Sequence, residues 1–355
     1  MRIDSINKVS SNPNYCNANF QVKPTMRITY SDKQQSMNNN PTNQVAFKSR
    51  KAFMKLIPSS IPQTLEQNIS KRLGIEPSKT VVKKFANGET YVNILEDMRN
   101  KDVFIMQPSS PAVNDNLMET YLKADASKRM GANKVVAIMP NFPYGRQERK
   151  VEFGEPISAR LNLDLLHSSG VDEVITTDVH AQAMQGFAKE MKITELSSMR
   201  VMSEYLKSKE IDSKNLVIVS PDFGGAKRAD KLAKELSCEK AVIYKNRTGH
   251  NQAVAEMLLG DVEGKTCVIY DDIIDTAGTI TQAADMLKRN GAENILICAS
   301  HGLFNGPAIE RLSKAPVDEV IVTNSERMPL TNGYNKIKQV DISKDIVGAM
   351  LDIAG

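Results

Sequence analysis

From about residue 52 onward, the chain alternates short apolar runs with longer stretches of helical spacing. Continuous runs rich in valine and isoleucine are typical of strands buried on both faces of a sheet. The helical stretches at 116–131 and 279–291 each end in glycine, which is a helix-stop signal. We therefore predict an α/β fold with mostly parallel sheets flanked by helices. The runs predicted as strands are DVFIMQP, KVVAIMP, EVITTD, LVIVSPD, KAVIYK, CVIYDD, NILICAS and EVIVTN.

Two segments of the second half repeat segments of the first half, in the same order. ADASKRMGANKV (124–135) is similar to ADMLKRNGAENI (284–295), and VDEVITT (171–177) is similar to VDEVIVT (317–323). Two ordinary βα units could be alike by chance. Two matches in the same order favour a duplicated domain instead.

The division of the chain follows from this repeat and from composition. Residues 1–50 are rich in Asn, Ser and Gln with little apolar content, which predicts a disordered polar extension. A targeting or docking segment is the alternative. We predict an N-terminal domain at 51–200 and a C-terminal domain at 201–355, an ordinary size for each. This division leaves the C-terminal helix free to pack back on the first half.

Charge and composition exclude several classes of protein. A net charge of only +4 gives no support for a general nucleic-acid binder. No apolar run approaches the roughly 20 residues that span a bilayer, and no apolar signal segment begins the chain. We therefore expect a cytoplasmic protein without membrane or nucleic-acid partners. The four cysteines show no Cys-x-x-Cys spacing, so we expect Cys238, Cys267 and Cys298 to be reduced thiols and Cys16 to be incidental.

The stretch YDDIIDTAGTI (270–280) places three carboxylates at the end of a predicted buried strand. Buried carboxylates are costly, and strand ends of parallel sheets face ligand-binding crevices. Carboxylates accept hydrogen bonds from vicinal hydroxyls. Small residues and the start of the next helix allow backbone N–H groups to approach a phosphate, with Thr276 and Thr279 adding hydroxyls. A solvated acidic turn with a helix cap is the alternative.

This stretch resembles the phosphoribosyl-pyrophosphate motif of type I phosphoribosyltransferases. In that family the acidic pair binds the ribose hydroxyls and the following turn binds the 5-phosphate. The resemblance implies two tandem type I phosphoribosyltransferase-like domains, with a ribose 5-phosphate site in the second. The residues implied for that site are Arg247, Asp271, Asp272, Asp275, Thr276, Ala277, Gly278 and Thr279.

Further stretches resemble, in order, the ribose-phosphate pyrophosphokinase family over residues 52–350. That family transfers the β,γ-pyrophosphoryl group of ATP to the C1 hydroxyl of ribose 5-phosphate and releases AMP, with Mg²⁺ on the polyphosphate. Most of these motifs are weak alone, but the ordered series is specific. The stretches are FANGETYVNI, NDNLMET, PYGRQERK, DVHAQAMQGF, SPDFGGAKRA and YKNRT.

The resemblance implies roles for residues outside the acidic motif. Lys245 and Arg247 become the catalytic cations on a loop that closes over the phosphates. Their spacing by two puts both side chains on one face of an extended segment. His180 and Asp222 become the metal-site residues, although Mg²⁺ prefers oxygen. A solvated basic turn, a structural histidine and a turn-forming aspartate are the respective alternatives.

The resemblance also implies an ATP site shared between subunits of a homo-oligomer, a hexamer in the family. The Asn-Gly pair in FANGE predicts a hairpin turn. In the family this hairpin reaches into the neighbouring subunit, although an ordinary hairpin is the alternative. The implied ATP-binding residues are Phe85, Asn87, Glu89, Arg146 and Gln147.

Three positions depart from the usual family pattern. The family usually has aspartate where Asn87 stands, aspartate near Val151 and a basic residue near Gly154. These departures leave phosphate and ADP regulation open, and they are the support for an alternative reading as a non-catalytic regulatory subunit. A base phosphoribosyltransferase is the other rival, but it normally needs one such domain and lacks FANGE and the GRQ loop.

Overall fold

A computed structural model describes residues 50–246, 255–331 and 333–355. The first half forms a five-stranded, fully parallel sheet in the order β1-β4-β5-β6-β7. Its strands are β1 (Met54–Ile57), β4 (Asp102–Met106), β5 (Lys134–Ile138), β6 (Glu173–Thr177) and β7 (Lys192–Leu196). An antiparallel hairpin of β2 (Thr80–Lys84) and β3 (Thr90–Ile94) stands apart from that sheet. The helices are α1 (Thr64–Leu73), α2 (Val113–Arg129) and α3 (Ser158–Ser168).

The second half forms a seven-stranded sheet in the order β10-β9-β8-β11-β12-β13-β14. Its strands are β8 (Leu216–Ser220), β9 (Glu239–Asn246), β10 (Ala255–Leu259), β11 (Thr266–Ile274), β12 (Asn294–Gly302), β13 (Glu319–Thr323) and β14 (Ile337–Val340). Only the β9–β10 pair is antiparallel. The helices that follow the last strand of the first sheet in the chain are α4 (Met199–Lys207), α5 (Ala226–Leu236), α6 (Gly278–Arg289), α7 (Ala308–Lys314) and α8 (Ser343–Ile353).

The two sheets share one topology. The order β1-β4-β5-β6-β7 of the first half corresponds to β8-β11-β12-β13-β14 of the second, each with a hairpin after its first strand. Those hairpins are β2–β3 and β9–β10. The predicted α/β fold with duplicated, mostly parallel sheets is confirmed.

All eight predicted strands are present, and the strands that the pattern does not predict lie at the margins of the sheets. β1 and β7 are the edges of the first sheet, and β10 and β14 are the edges of the second. Edge strands have one unpaired side and tolerate polar residues, so they lack the continuous apolar run of a central strand. β7 reads KITEL and β14 reads IKQV, whereas the central β8 reads LVIVS and is buried throughout.

The helix that follows each sheet in the chain packs against the other half. The helix after the first sheet, α4, packs against α5 and β14 of the second half. The helix after the second sheet, α8, packs against α1 and β7 of the first half. Ile346 and Met350 of α8 are completely buried beside Leu65 and Ile69 of α1. The predicted packing of the C-terminal helix on the first half is therefore present. The predicted domain bounds, 51–200 and 201–355, stay a prediction.

The three cysteines within the described ranges are free, and Cys16 lies outside those ranges. Burial raises the pKa of Cys238 to about 11 and that of Cys267 to about 12, so neither thiol ionises near neutral pH. Across the described residues, no helix has both the length and the apolar content to cross a bilayer.

Asp341 fastens α1 to the segment between β14 and α8. Its carboxylate accepts hydrogen bonds from the Ser343 hydroxyl at 2.7 Å, from Asn324 Nδ2 at 2.8 Å and from Arg72 Nη2 at 3.0 Å. Burial by itself raises the pKa of Asp341, but the hydrogen bonds from Ser343, Asn324 and Arg72 outweigh it and lower the pKa to about 2.

We expect Asp341→Asn to destabilise the protein by about 1–2 kcal/mol at pH 7, since solvent screens part of the carboxylate. The depressed pKa contributes stability above about pH 4, the unfolded value, and this contribution is lost as pH falls toward 2. Urea unfolding at pH 7 and pH 3 measures the difference, which should shrink at pH 3. Asp164→Asn, which removes an exposed partner of Arg160, is the matched control and should cost under about 0.5 kcal/mol. Equal losses in the two variants would contradict the assignment.

Candidate active site between the two sheets

A cleft of about 270 Å³ lies where the carboxyl ends of strands from both halves meet. The first half contributes the segments that follow β4, β5 and β6, and the second half contributes residues of β11, β12 and the loop after β12. Ligands of open α/β sheets bind at this end of the strands. The residues of the cleft wall used below are Ser109, Ser110, Asn141, Arg146, Gln147 and His180.

The acidic pair lies within β11, because the strand continues through both aspartates to Ile274. Arg228 of α5 places Nη1 3.1 Å from Oδ1 of Asp271 and 3.1 Å from Oδ1 of Asp272. His180 reaches across from the first half, with Nδ1 2.7 Å from Oδ2 of Asp272. The structure therefore joins two predicted ribose ligands and the predicted metal-site histidine through direct contacts.

The two aspartates of the pair are held in different states. Burial, reinforced by the neighbouring Asp272, raises the pKa of Asp271. Burial also opposes ionisation of Asp272, but the hydrogen bond to His180 and the charge of Arg228 together lower its pKa. The hydrogen bond to Asp272 raises the pKa of His180. One carboxylate is thus stabilised in its charged form while its neighbour takes up a proton more easily.

The turn after β11 has the geometry of an anion-binding loop. Ala277 adopts the left-handed conformation (φ 60°) directly before α6, so the chain turns sharply into the helix. The hydroxyl-bearing Thr276 and Thr279 are exposed, and Gly278 is the first residue of the helix. A helix start beside small residues gives backbone N–H groups and a positive dipole end to an anion. Arg311 of α7 donates from Nη1 to the carbonyl of Thr276 at 2.9 Å and so adds a cation beside this turn.

Asp275 contacts the first half. Arg146 donates from Nη2 to Oδ2 of Asp275 at 2.6 Å, and Asn305 donates from Nδ2 to Oδ1 at 2.9 Å. Burial opposes ionisation of Asp275, yet these donors lower its pKa. Arg146 was predicted for ATP and Asp275 for ribose 5-phosphate, so the fold brings the two predicted substrate regions into contact.

Asp178 anchors the strand end that carries His180. Its backbone has a positive φ of 42°, and its Oδ2 accepts from the backbone N–H of Ser198 at 2.9 Å and from the Ser300 hydroxyl at 2.7 Å. Ser300 belongs to β12 of the second half, so this carboxylate also bridges the halves. Left-handed conformations of residues other than glycine cost energy and concentrate at functional sites.

Several predicted site residues lie elsewhere. Among the described residues that line the cleft, none comes from the β2–β3 hairpin, whose tip carries Phe85, Asn87 and Glu89. The predicted hairpin turn itself is present, with Asn87 Oδ1 accepting from the backbone N–H of Glu89 at 3.2 Å. Phe85 stacks edge-on against Tyr91 at 5.7 Å between ring centroids and remains 49% exposed.

The remaining predictions fall on the second half. Asp222 is exposed and closes the turn before α5, because its Oδ1 accepts from the backbone N–H of Gly225 at 2.9 Å. The backbone of Lys245 lies in β9, opposite Glu256 of β10. The side chain of Lys245 and the whole of Arg247 lie outside the described residues. Their catalytic roles therefore stay predictions.

The fold and the site together define a protein of two tandem type I phosphoribosyltransferase-like domains. Residues 54–170 match the N-terminal domain of ribose phosphate pyrophosphokinase, and residues 251–354 match the phosphoribosyl synthetase-associated domain. The ribose-phosphate pyrophosphokinase of Fusobacterium nucleatum is 38% identical, over 84% of this chain and 94% of its own length. The chain belongs to the ribose-phosphate pyrophosphokinase family.

Two further relatives agree with this membership. The protein named ribose-phosphate pyrophosphokinase 2, chloroplastic, from Oryza sativa subsp. japonica is 43% identical over 79% of this chain and 70% of its own length. The crystal structure of phosphoribosylpyrophosphate synthetase from Mycobacterium smegmatis superposes with a TM-score of 0.79 at 33% identity. That superposition covers 84% of this chain and 97% of the other.

Sequence reasoning missed two cations of the site, Arg228 and Arg311. Arg228 stands in the quoted SPDFGGAKRA stretch, but nothing in its local pattern distinguishes it from an ordinary basic residue of a helix. Arg311 lies on α7, 35 residues beyond the turn that it contacts. Only the folded arrangement of α5 and α7 around β11 brings these guanidinium groups to the motif.

Replacing Arg228 by methionine should leave two adjacent buried carboxylates without their shared cation. We expect a destabilisation of roughly 3 kcal/mol at pH 8. The loss should shrink at pH 5. Asp271 has a raised pKa in the folded state, so at low pH it is protonated and needs no cation, whereas its charge destabilises the fold as the pH rises. Urea unfolding at both pH values measures this. Lys227→Met changes the exposed neighbour and is the control; the same loss and pH profile in both variants would refute the role of Arg228.

Proposed function

We propose that the protein is an active ribose-phosphate pyrophosphokinase, which transfers the β,γ-pyrophosphoryl group of ATP to the C1 hydroxyl of ribose 5-phosphate. The products are 5-phosphoribosyl 1-pyrophosphate and AMP. The observation that carries the proposal is the contact between the acidic pair and a wall residue of the cleft between the halves: Nδ1 of His180 lies 2.7 Å from Oδ2 of Asp272. Membership of the family and the two facing sheets support it.

Ribose 5-phosphate is proposed to bind at the end of β11 and the start of α6. Asp271 and Asp272 would accept hydrogen bonds from the vicinal ribose hydroxyls. The 5-phosphate would lie against the turn of residues 275–279, where the left-handed Ala277 and the helix start favour an anion. In this orientation C1 would face the cleft that Arg146 and Gln147 line.

ATP is proposed to occupy the cleft with its phosphates toward the acidic pair. Arg146, now bound to Asp275, would exchange that carboxylate for nucleotide oxygens. In a homo-oligomer, a hexamer in the family, the hairpin of a neighbouring subunit would complete the site. The exposure of Phe85, and its position away from the cleft of its own chain, support that sharing.

Mg²⁺ is the proposed cofactor. Within the described ranges, no group of three or more His, Cys, Asp or Glu residues is arranged to hold a metal ion. Mg²⁺ keeps several waters and is bound through few protein groups plus substrate phosphates. Asp222 and Nε2 of His180, whose Nδ1 faces Asp272, are the proposed contacts. When bound, the ion neutralises negative charge on the polyphosphate.

The chain's own contribution to the reaction is positioning and charge. Phosphoryl-type transfer needs little covalent participation by the protein, and it depends on in-line geometry and on cations near the transferred group. Lys245, at the end of β9, and Arg247, which follows β9 in the sequence, are proposed to supply those cations. Their presence, with the complete acidic motif, favours an enzyme over a non-catalytic regulatory subunit.

The proposed reaction is tested by incubating the protein with ATP, ribose 5-phosphate and Mg²⁺ and following both products. We expect equal, Mg²⁺-dependent formation of AMP and 5-phosphoribosyl 1-pyrophosphate. Formation of ADP in place of AMP would indicate ordinary kinase chemistry. A folded oligomer that forms no product, even with inorganic phosphate added, would instead support the regulatory subunit.

Lys245→Ala should assemble normally and turn over at least about 100-fold more slowly, because the cation that would stabilise negative charge on the transferred group is lost. Lys240→Ala is a matched control on the same strand, since Lys240 is bound to Asp230. Steady-state rates with both substrates saturating measure the effect. Unchanged turnover in Lys245→Ala would remove this residue from the mechanism.

A further inference from the structure

Glu326 is a buried carboxylate behind the wall of the cleft. It follows β13 in the second half, and only 3% of its surface is exposed. An ionised carboxylate at such a site must be paired or fully hydrogen-bonded. Its partners are therefore informative: among the described residues, every donor to its side chain belongs to the first half.

Five donors of the first half converge on this carboxylate. Oε1 accepts from the backbone N–H of Ser109 at 3.2 Å, from the Ser109 hydroxyl and from Asn141 Nδ2 at 3.0 Å. Oε2 accepts from the backbone N–H of Ser110 at 3.2 Å and from its hydroxyl at 3.3 Å. Two successive N–H groups with two hydroxyls form a concave anion site, and a side chain of the same chain fills it.

The partners of Glu326 are themselves wall residues of the cleft. Ser109, Ser110 and Asn141 line it together with Arg146 and Gln147, whereas Glu326 does not line it. Ser109 and Ser110 precede α2, and Asn141 follows β5. Asn141 Nδ2 also donates to the Ser109 hydroxyl at 2.6 Å, which ties the two segments together. A change at Glu326 would therefore reach both segments at once.

We propose that Glu326 is a positioning residue for the nucleotide: it fixes the Ser109–Ser110 loop and Asn141 in the arrangement that receives ATP. This inference rests on the proposed function, because it takes ATP as the occupant of the cleft. The contact also makes the nucleotide wall depend on the second half, which carries the acidic pair. The ribose side of the site does not depend on it, since Glu326 donates to and accepts from no residue of the 271–279 stretch within the described ranges.

The experiment measures the ATP dissociation constant by calorimetry, and KM and kcat for both substrates, in the parent protein and in Glu326→Gln. The amide keeps the size but turns one acceptor into a donor that faces the N–H groups. We expect ATP binding and the KM for ATP to weaken about tenfold, the size of one hydrogen bond to a charged group. The KM for ribose 5-phosphate should change less than twofold.

Ser109→Ala removes a donor from the opposite side and provides an independent variant if Glu326→Gln folds poorly. It should also weaken ATP binding, and the double variant should bind ATP no more weakly than the weaker single variant, because the two changes break one interaction. Asp345→Asn is the matched control. Asp345 is a largely buried aspartate of α8, with Oδ2 2.8 Å from Nη2 of Arg200, and it does not line the cleft. Its replacement should leave the KM for ATP unchanged.

The outcomes separate this inference from the proposed reaction. A parent that binds ATP but makes no product refutes the reaction, while the binding data still decide the role of Glu326. Equal rises in both KM values, fully additive effects of the two variants, or unaltered ATP binding in Glu326→Gln would overturn the positioning role. A parent that does not bind ATP would overturn both.

Discussion

The site depends on how two adjacent carboxylates are held inside a folded protein. Asp271 and Asp272 lie within a buried strand, where two unpaired charges would be prohibitively costly. Arg228 comes from a helix of the same half, and His180 comes from the other half. The acidic pair therefore has its full set of partners only when both halves are assembled. That requirement links the stability of the fold to the geometry of the site.

Three further carboxylates are held by hydrogen bonds across the boundary between the halves, which we call the seam. Asp178 accepts from Ser300, Asp275 pairs with Arg146, and Glu326 binds the Ser109–Ser110 loop. Each of these acids faces a partner from the other sheet at the carboxyl ends of the strands. A seam made of hydrogen-bonded carboxylates is specific in register, because a shifted partner would leave a buried charge unpaired. Apolar packing also joins the halves, because α4 packs in the core of the second half and α8 in the core of the first.

The duplication places a hairpin at the same point of each half. The β2–β3 and β9–β10 hairpins occupy corresponding places after the first strand of each half. One carries the FANGE turn, predicted to reach a neighbouring subunit, and the other carries Lys245 at the end of β9. The sequence of a hairpin at the margin of a sheet can vary without disturbing the buried central strands. The two corresponding hairpins thus have different predicted roles: one binds nucleotide across subunits, and the other supplies a catalytic cation.

The sequence alone determined the central strands, the duplication and the acidic motif, because these are local patterns: continuous apolar runs, repeated segments and carboxylates next to a small-residue turn. It did not determine the edge strands such as β7 and β14, where partial exposure removes the apolar signal. The tertiary structure alone decided that Arg228 serves both aspartates, that Arg146 meets Asp275 and that Glu326 fills a site 216 and 217 residues away. Those pairings are set by how the two sheets face each other, and no local sequence pattern encodes contacts at such separations.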